Sequence, residues 1–563
     1  MSRSAPLRSL ARFRITSLPK PPMRVWTTSS NMNGAAETEA CSPGDSTVAS
    51  SPEASAVMNS RFTRGLNGIP RCGLLKIVTP ASPPPPKRKQ SASGLKPTSE
   101  NSLEPGPKRN HKRGMIREAG SSRPVGVDLF AGAGGMSLGF EQAGFHIAAA
   151  VEIDPIHCCI HKFNFPNCVM IPHSVQNVTG DLIRKLAGIT GKVDVVFGGA
   201  PCQGFSMIGK RALEDPRNSL VLDFVRIVSE LEADYFVFEN VKGLTVGSHR
   251  RFLEELIHAF DSAGYKVRLP WMVLNAASFG VPQDRKRLFL LGARNKLRAP
   301  DYPLPISTKA GCHYELNLPA GPSCRDALDD LPNADAFSEL KSQDEVKPPR
   351  WGKPSPYARE MRCLDAAAWH YGDVRLWNSE MLTSSARTEH SEISTRRFSG
   401  TRSGEIEPIS RFFKLPPDGV SNTLRAGTDA ARGAFTSPRP IHYHHPRCVT
   451  VREMARLHGF PDWFRFHSTK WHGARQIGNS VPPPLARAVA SALINAMGIS
   501  PKPGVVPIAL GDPALLHADM SQASAHWGVA APIQKRDRKS GDRKRTQLET
   551  EAARLCNLTI QSA

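Results

Sequence analysis

One stretch, VVFGGAPCQG, constrains this chain more than any other. An apolar run over residues 193–197 has the β-branched content and the length of a buried strand. Gly198 and Gly199 end the run and permit a tight turn, and Cys202 follows shortly after. In an open α/β sheet ligands lie at the carboxyl ends of strands, so the turn puts a thiol where a reactive group belongs. A cysteine after a core strand is by itself more often an ordinary residue, so the assignment depends on the rest of the chain.

A second glycine turn opens the ordered part of the chain. Alternating apolar residues over 125–129 predict a strand, and the glycine-rich turn at 130–135 follows it. A further strand, predicted over 147–151, ends at Glu152. A carboxylate there, roughly 20 residues after the glycine turn, can accept hydrogen bonds from both ribose hydroxyls. Ser137 stands where the third glycine of GxGxxG would fall, which argues against a dinucleotide-dependent oxidoreductase.

The composition indicates a polyanionic partner without identifying it. The chain has 563 residues, enough for two or three domains, and a formal net charge of +22. Such a charge suits nucleic acid or an acidic membrane face, although basic tails alone could produce it. No apolar run is long enough for a transmembrane helix. The 11 cysteines show neither CxxC pairs nor zinc-finger spacing, so we expect no metal site and an intracellular protein.

Both ends of the chain are predicted to be disordered. Residues 1–120 are rich in Ser, Pro, Ala and Arg and lack sustained periodicity, which predicts a basic extension without a core. Its Arg-rich start weakly resembles a transit peptide and its basic clusters weakly resemble nuclear signals, while translation from Met115 is a simpler alternative. Residues 499–563 are Pro- and Ala-rich and then basic, which predicts a second disordered tail.

The motifs resemble those of the C5-cytosine-specific DNA methyltransferases of bacterial type. Pro201-Cys202-Gln203 resembles that family's nucleophile motif, and the FAGAGG turn from Phe130 resembles its turn for S-adenosyl-L-methionine (AdoMet). Four later segments resemble further motifs in the family's unpermuted order: residues 239–241 (ENV), 283–287 (QDRKR), 447–461 and 476–483. The resemblance spans about residues 125–497.

Local patterns predict further elements between these motifs. A helix is predicted after residue 218 with Leu222, Val225 and Val228 on one face, and a strand is predicted over 267–274. Period-two alternation points Gln283, Arg285 and Arg287 one way, and Thr450 is expected to cap a helix that ends at Gly459.

The resemblance also implies the architecture. We expect an α/β fold: the Rossmann-like, mostly parallel sheet of AdoMet-dependent methyltransferases with a smaller, irregular target-recognition domain. The first part of the catalytic domain is expected at 121–293 and its return segment at 447–498. Between them, over 294–446, periodicity fades while Pro, Gly, Ser and charged residues become more frequent, which suits the recognition domain.

Three residues carry the chemistry that the resemblance implies. Cytosine C5 is too weakly nucleophilic to take a methyl group unaided, whereas a thiolate that adds to C6 loads electron density onto C5. Cys202 is the expected nucleophile, and Glu239 is the expected acid beside ring atom N3. Arg285 is the expected cation that favours the thiolate and holds the base O2. This chemistry requires no metal.

The remaining site residues follow from the same resemblance. Those expected to bind AdoMet are Phe130, Gly132, Gly134, Glu152, Ile153, Ser174, Val175, Gly199, Pro201, Leu220, Asn479 and Val481. A base inside a duplex cannot reach the thiol, so the target must leave the stack. Those expected to contact DNA are Gln203, Ser206, Arg287, Thr423 and Leu424. Ser174 stands where the family usually has an Asp that holds the adenine amino group, so this contact would lack a charge.

Several alternatives remain open from the residues alone. A tRNA-directed enzyme of the same fold would carry a short recognition insert with a Cys-Phe-Thr element, and this chain has a long insert without it. A non-catalytic DNA-binding relative would be signalled by loss of Cys202 or Glu239, and both are present. We expect a monomer that acts on double-stranded DNA in the bacterial cytoplasm, away from membranes. A nuclear or organellar location is less favoured. A cognate restriction endonuclease acting independently is left open.

Overall fold

The computed structural model describes residues 123–201, 219–247, 249–311, 317–427, 438–504 and 506–530. The predicted N-terminal extension lies outside the described residues. So do three of the predicted site residues: Cys202, Gln203 and Ser206.

A mixed sheet forms the centre of the fold, with five parallel strands followed by three antiparallel ones in the described chain. The parallel strands are β1 (Val125–Leu129), β2 (His146–Val151), β3 (Val169–Ile171), β4 (Val195–Gly198) and β5 (Tyr235–Val241). The others are β6 (Tyr265–Val267), β7 (Met272–Asn275) and β8 (Lys286–Arg294). The order is β3-β2-β1-β4-β5-β8-β6, and β7 also pairs with β8. The order reverses between β1 and β4, which is where such sheets bind ligands.

Helices cover both faces of this sheet. Within the first half they are α1 (Gly135–Gln142), α2 (Pro155–Asn164), α3 (Gly180–Ala187), α4 (Ser219–Glu230) and α5 (His249–Ser262). The region between residues 294 and 446 has short elements: α6 (Cys324–Leu328), α7 (Pro356–Met361), the two-residue strand β9 (Arg375–Leu376) and α8 (Glu392–Gly400). The last elements are α9 (Val451–His458), α10 (Lys470–Asn479), α11 (Pro483–Met497), the two-residue strand β10 (Ile508–Ala509) and α12 (Met520–Trp527).

The return of the chain at α11 completes the core beside the first helix. Gly139 of α1 is the point of closest approach, because a Cβ there would lie 2.4 Å from the Ala486 Cβ on α11. On this face the Phe197 ring stacks on Phe140 with centroids 3.7 Å apart. A separate apolar cluster covers the opposite face, together with α3, α4 and α5. A sheet buried on both faces explains why all five residues of β1 are buried despite their alternating sequence.

The predicted α/β fold class is confirmed, but two local predictions are wrong. The sequence predicts that Leu222 shares the buried face of α4 with Val225 and Val228, yet Leu222 is 39% exposed. Val225 and Val228 are buried as predicted, but the buried face continues through Val221, Phe224 and Ile227 rather than through Leu222. The single strand predicted over 267–274 is two strands, β6 and β7, because Pro270 between them has no amide hydrogen to pair.

Part of the predicted C-terminal disorder is also corrected. Residues 506–530 form β10, a 3₁₀ turn at Pro513–Leu516 and α12. They are ordered because Leu515, Leu516 and Ala523 pack into an apolar cluster on α2. Across the described chain, the helices are too short or too polar to cross a membrane.

The start of α9 depends on a buried ion pair. Thr450 and Glu453 form a capping box, as the predicted Thr cap requires, and the helix ends at Gly459. Arg447 donates two 2.8 Å hydrogen bonds to the Glu453 carboxylate. Burial alone would raise the pKa of Glu453, but the charge and hydrogen bonds of Arg447 outweigh burial and lower this pKa to about 2.

We expect Glu453→Gln to destabilise the protein by about 3 kcal/mol at pH 7, since it leaves a buried guanidinium without its partner. The folded pKa is below the ordinary 4.5, so this contribution is complete above pH 4.5 and is lost as the pH falls toward 2. Denaturant unfolding of both proteins at pH 7, 5 and 3 measures it. A difference in unfolding free energy that stays constant down to pH 3 would contradict the prediction.

Candidate active site

The glycine turn after β1 has a backbone suited to a ligand. Phe130 and Gly132 both have left-handed backbones, with φ of 59° and 56°. A non-glycine residue in this region is strained, and such strain is concentrated at functional sites. A Cβ on Gly132 would meet nothing within 4 Å, whereas one on Gly134 would lie 2.4 Å from the Phe165 ring. The turn is therefore closed toward the protein at Gly134 and open at Gly132.

Glu152, at the end of β2, is bound to this turn. Its carboxylate accepts hydrogen bonds from the backbone N–H of Gly132 at 2.9 Å, of Ile153 at 3.0 Å and of Asp154 at 2.9 Å. A carboxylate has about four acceptor positions, so one stays available for a hydroxyl. Ile153 beside it is 58% exposed and offers an apolar surface. An open turn, a free acceptor and an apolar surface together fit a nucleoside.

Two further predicted AdoMet residues lie on neighbouring elements. Ser174 follows β3 and accepts a 3.3 Å hydrogen bond from the Gln176 N–H at the start of a 3₁₀ turn. Val175 in that turn is buried. The Gln176 side chain donates to the Ser219 hydroxyl at 2.8 Å, which joins this turn to the start of α4 beside the half-buried Leu220.

The opposite side of the turn is supplied by the end of the chain. A Cβ on Gly135 would lie 2.5 Å from the Val481 carbonyl oxygen, so only glycine permits this approach. Val481 is buried, and Asn479, the last residue of α10, is exposed. The fold thus brings the glycine turn into contact with Val481, which lies far later in the sequence.

Glu239 lies on β5, next to the strand that leads to Cys202. Its Oε1 is 3.0 Å from the Arg287 Nε, and both side chains are largely buried. A Cβ on Gly199 would lie 2.5 Å from the Glu239 Oε2, so the carboxyl rests directly on the turn after β4. Burial raises the pKa of Glu239, and the charges of Arg287 and Arg285 oppose that rise. The neutral acid is thus available at higher pH than for an ordinary glutamate.

The adjoining Asn240 holds the turn itself. Its side chain donates a 3.1 Å hydrogen bond to the Ala200 carbonyl oxygen, while its own Oδ1 accepts from the Val241 N–H at 2.9 Å. The peptide before Pro201, the last described residue ahead of Cys202, is therefore tied to β5. The hydrogen bond from Asn240 to Ala200 thus joins the ENV motif to the segment that leads to Cys202.

Arg285, the predicted cation beside the thiolate and the base, is bonded to backbone carbonyl oxygens in this structure, and its contact with the base stays a prediction. Its guanidinium is fully buried and donates to the carbonyl oxygens of Leu424 (2.9 Å), Gly478 (2.8 Å) and Ser480 (2.8 Å). Burial lowers the pKa of Arg285 well below its usual range. Arg287, two residues along β8, contacts Glu239 instead. The alternation of side chains is as expected, but the cation that pairs with the acid is the later of the two.

Leu424 and Thr423, two of the predicted DNA contacts, form hydrogen bonds within the protein, and Thr423 also lines the basic cleft described below. Leu424 is 2% exposed, and its N–H donates to the Gln283 side chain at 3.1 Å. Thr423 donates its hydroxyl hydrogen bond to the Asp284 carbonyl oxygen at 2.7 Å. Through these two hydrogen bonds, Thr423 and Leu424 attach the 294–446 region to the segment just before β8.

A cleft of about 590 Å³ lies beside this junction. Its described lining carries five basic side chains, Lys242, Lys286, Arg287, Lys309 and Arg425, and one carboxylate, Asp284. Asp284 is paired with Lys309 at 2.8 Å, so positive charge predominates. Four of these basic residues were not predicted from the sequence, since an exposed lysine or arginine has no periodic signal. Such a cleft suits a polyanion.

Comparisons with known proteins agree with this geometry. The family model for C-5 cytosine-specific DNA methylases matches residues 125–495. The Type II methyltransferase M.XorII of Xanthomonas oryzae pv. oryzae is 54% identical over 424 residues, which cover 75% of this chain and 96% of that protein. M1.HphI of Haemophilus parahaemolyticus is 33% identical over 375 residues, covering 65% of this chain and 86% of that protein.

A solved structure shows the same fold. A prophage-encoded E. coli protein described as a DNA modification methyltransferase superposes with a TM-score of 0.52 at 30% identity, covering 67% of this chain and 99% of that one. The family match covers the sheet, the glycine turn, Glu239 and the α11 return. The chain therefore belongs to the C-5 cytosine-specific DNA methylase family and is a DNA (cytosine-5-)-methyltransferase.

Proposed function

We propose that this protein methylates C5 of a cytosine that has swung out of a specific duplex sequence, through a transient bond between Cys202 and ring atom C6. The observation that supports this most is the position of Glu239. Its carboxyl rests on Gly199, three residues before Cys202, and pairs with Arg287 at 3.0 Å. An acid beside the turn that leads to the thiol suits the addition of Cys202 to C6.

In this mechanism the Cys202 thiolate forms a bond to C6, and the C5–C6 electron pair is delocalised toward N3. The neutral Glu239 carboxyl gives its proton to N3 and so prevents charge from building up on the ring. Arg287 then stabilises the carboxylate left on Glu239. AdoMet would supply the methyl group, which the C5 electron pair displaces from the sulfonium so that a neutral thioether is left. Loss of the C5 proton, return of the N3 proton to the Glu239 carboxylate and departure of the Cys202 thiolate then restore the aromatic ring.

The AdoMet site is proposed at the glycine turn. Glu152 would accept from the ribose, and Ile153 would lie against the adenine, with Ser174, Val175 and Leu220 nearby. Phe130, Gly132 and Gly134 would shape the turn, while Gly199 and Pro201 would face it from β4. Asn479 and Val481 would form the opposite side. What supports this is the free acceptor of Glu152 beside the exposed apolar Ile153.

The basic cleft is the proposed path of the DNA backbone. Lys286, Lys309 and Arg425 would bind phosphates, and Gln203 and Ser206 would occupy the space left by the target base. Recognition of the DNA sequence around the target base would come from residues 294–446. The name of the Xanthomonas relative, a Type II methyltransferase, supports a restriction-modification context in the bacterial cytoplasm, with any cognate endonuclease acting independently.

We expect Cys202→Ala to abolish methylation while leaving DNA binding intact. Bisulfite sequencing of plasmid DNA from cells that express the wild type identifies the methylated site. The same measurement on cells that express Cys202→Ala shows whether methylation at that site is absent. A duplex with 5-fluorocytosine at that site should form a denaturation-resistant complex with the wild type and with the control Cys363→Ala, because C5 then has no proton to lose. Methylation by Cys202→Ala would refute the nucleophile assignment.

Because the neutral form of Glu239 is the proton donor, the single-turnover rate should fall as the pH rises through its raised pKa. Glu239→Gln should lower the rate by about 10²- to 10⁴-fold and remove this alkaline limb. The acid limb, which reports formation of the Cys202 thiolate, should remain. Rates between pH 6 and 9 provide the measurement, and an unchanged alkaline limb in the variant would count against Glu239 as the donor.

Substitution of Arg285 should lower mainly the stability of the protein, whereas substitution of Arg287 should lower mainly the rate. Arg285→Met leaves three buried carbonyl oxygens without donors, so the melting temperature should drop by several degrees. Arg287→Met should keep a melting temperature near that of the wild type and lose about 100-fold in single-turnover rate, which is on the order of one lost charge contact in the site. Thermal denaturation and rapid-quench assays separate the two effects. A stable but slow Arg285→Met together with an unstable Arg287→Met would instead support Arg285 as the cation beside the thiolate and the base.

A further inference from the structure

A C-terminal strap, residues 506–530, lies outside the family match, which ends at residue 495. The strap consists of β10, the 3₁₀ turn Pro513–Leu516 and α12. Its first part is anchored on β9, where β10 pairs with that strand and the Ile508 N–H donates a 2.9 Å hydrogen bond to the Val374 carbonyl oxygen. From there the strap crosses α2.

The strap covers the outer face of α2. Leu515, Leu516 and Ala523 form one apolar cluster with the α2 residues Ile156, Cys159, Ile160 and Phe163 and with Ala133 of the glycine turn. The Trp527 Nε1–H donates to the Pro155 carbonyl oxygen at 3.2 Å, and the Gly511 N–H donates to the Phe163 carbonyl oxygen at 2.8 Å. Both ends of α2 are therefore held by the strap.

The same residues contact the opposite side of the proposed AdoMet site. The Leu516 carbonyl oxygen accepts a 3.0 Å hydrogen bond from the Ser468 N–H, and the Ala518 carbonyl oxygen accepts from the His467 Nε2 at 3.1 Å. The His467 N–H in turn donates to the Gln476 side chain at 3.0 Å, within α10. α10 ends at Asn479, just before Val481. The strap thus joins the segment that leads into α10 to the helix that follows Ile153.

We propose that the strap sets the separation of the two sides of the AdoMet site, with Leu516 as its principal positioning residue. Leu516 is 2% exposed and bonds to both sides: its side chain packs on α2, and its backbone carbonyl holds Ser468. Loss of its side chain would loosen α2 and so displace Glu152 and Ile153 at its N-terminal end. This inference rests on the proposed AdoMet site and names residues of this chain that act on it from outside.

The test compares Leu516→Ala with a matched control, Leu340→Ala, in the full-length protein. Leu340 is also fully buried, but in a small apolar cluster with Ala334 and Leu382 in the 294–446 region. We expect Leu516→Ala to raise the AdoMet Kd, by calorimetry, and the AdoMet KM about 10-fold. The KM for DNA and the kcat at saturating AdoMet should stay within twofold of the wild type. Leu340→Ala should leave the AdoMet Kd unchanged.

Two conservative variants guard against a simple loss of folding. Leu516→Met keeps most of the packing and should restore the AdoMet Kd, while Trp527→Phe removes only the N–H bond to Pro155 and should raise Kd by a few fold. A wild-type Kd in both Leu516→Ala and Trp527→Phe would overturn the inference, and so would an equal rise in Leu340→Ala. If the wild type itself fails to bind AdoMet, the proposed function fails instead, and the two failures are thereby distinguished.

Discussion

The structure depends on one buried guanidinium. Arg285 donates to the carbonyl oxygens of Leu424, Gly478 and Ser480, which belong to segments far apart in the chain. Its planar fork can serve several acceptors at once, which an ammonium on a flexible stem does less well. Because the charge is fully buried, its free energy is acceptable only when these partners are in place. Arg285 therefore holds three parts of the chain together: the start of β8, the 294–446 region and the return segment.

Assembly at this point separates the roles of residues at the start of β8. Gln283 and Arg285, just before the strand, join distant segments, whereas Arg287, within it, contacts Glu239. Glu239 on β5 and Arg287 on β8 therefore meet beside the turn after β4, the turn that leads to Cys202 in the sequence. Close backbone approaches complete it, such as Gly135 on the Val481 carbonyl oxygen, where any larger residue would separate the two walls.

Local signals in the sequence predicted much of this. The strands at 125–129 and 147–151 and the Thr450-capped helix were recognisable, since each depends on neighbours within a few residues. Glu152 was singled out because it directly follows a buried strand, and Glu239 because residues 239–241 resemble a motif of the family. The exposed side of α4 and the basic cleft were not predicted, because which residues face solvent depends on what packs across from them. The order in residues 506–530 was hidden for the same reason, as composition alone resembles a tail.

By itself, the sequence determined the family, the order of the motifs and the residue types available at the strand ends. Period-two alternation even placed Gln283, Arg285 and Arg287 on one side of their strand. Only the tertiary structure decided which arginine is buried under Leu424 and Ser480 and which pairs with the acid. The physical reason is that alternation specifies a direction along one strand, whereas the burial of Arg285 depends on segments 139 and 195 residues away and the pairing of Arg287 depends on Glu239 of the neighbouring strand.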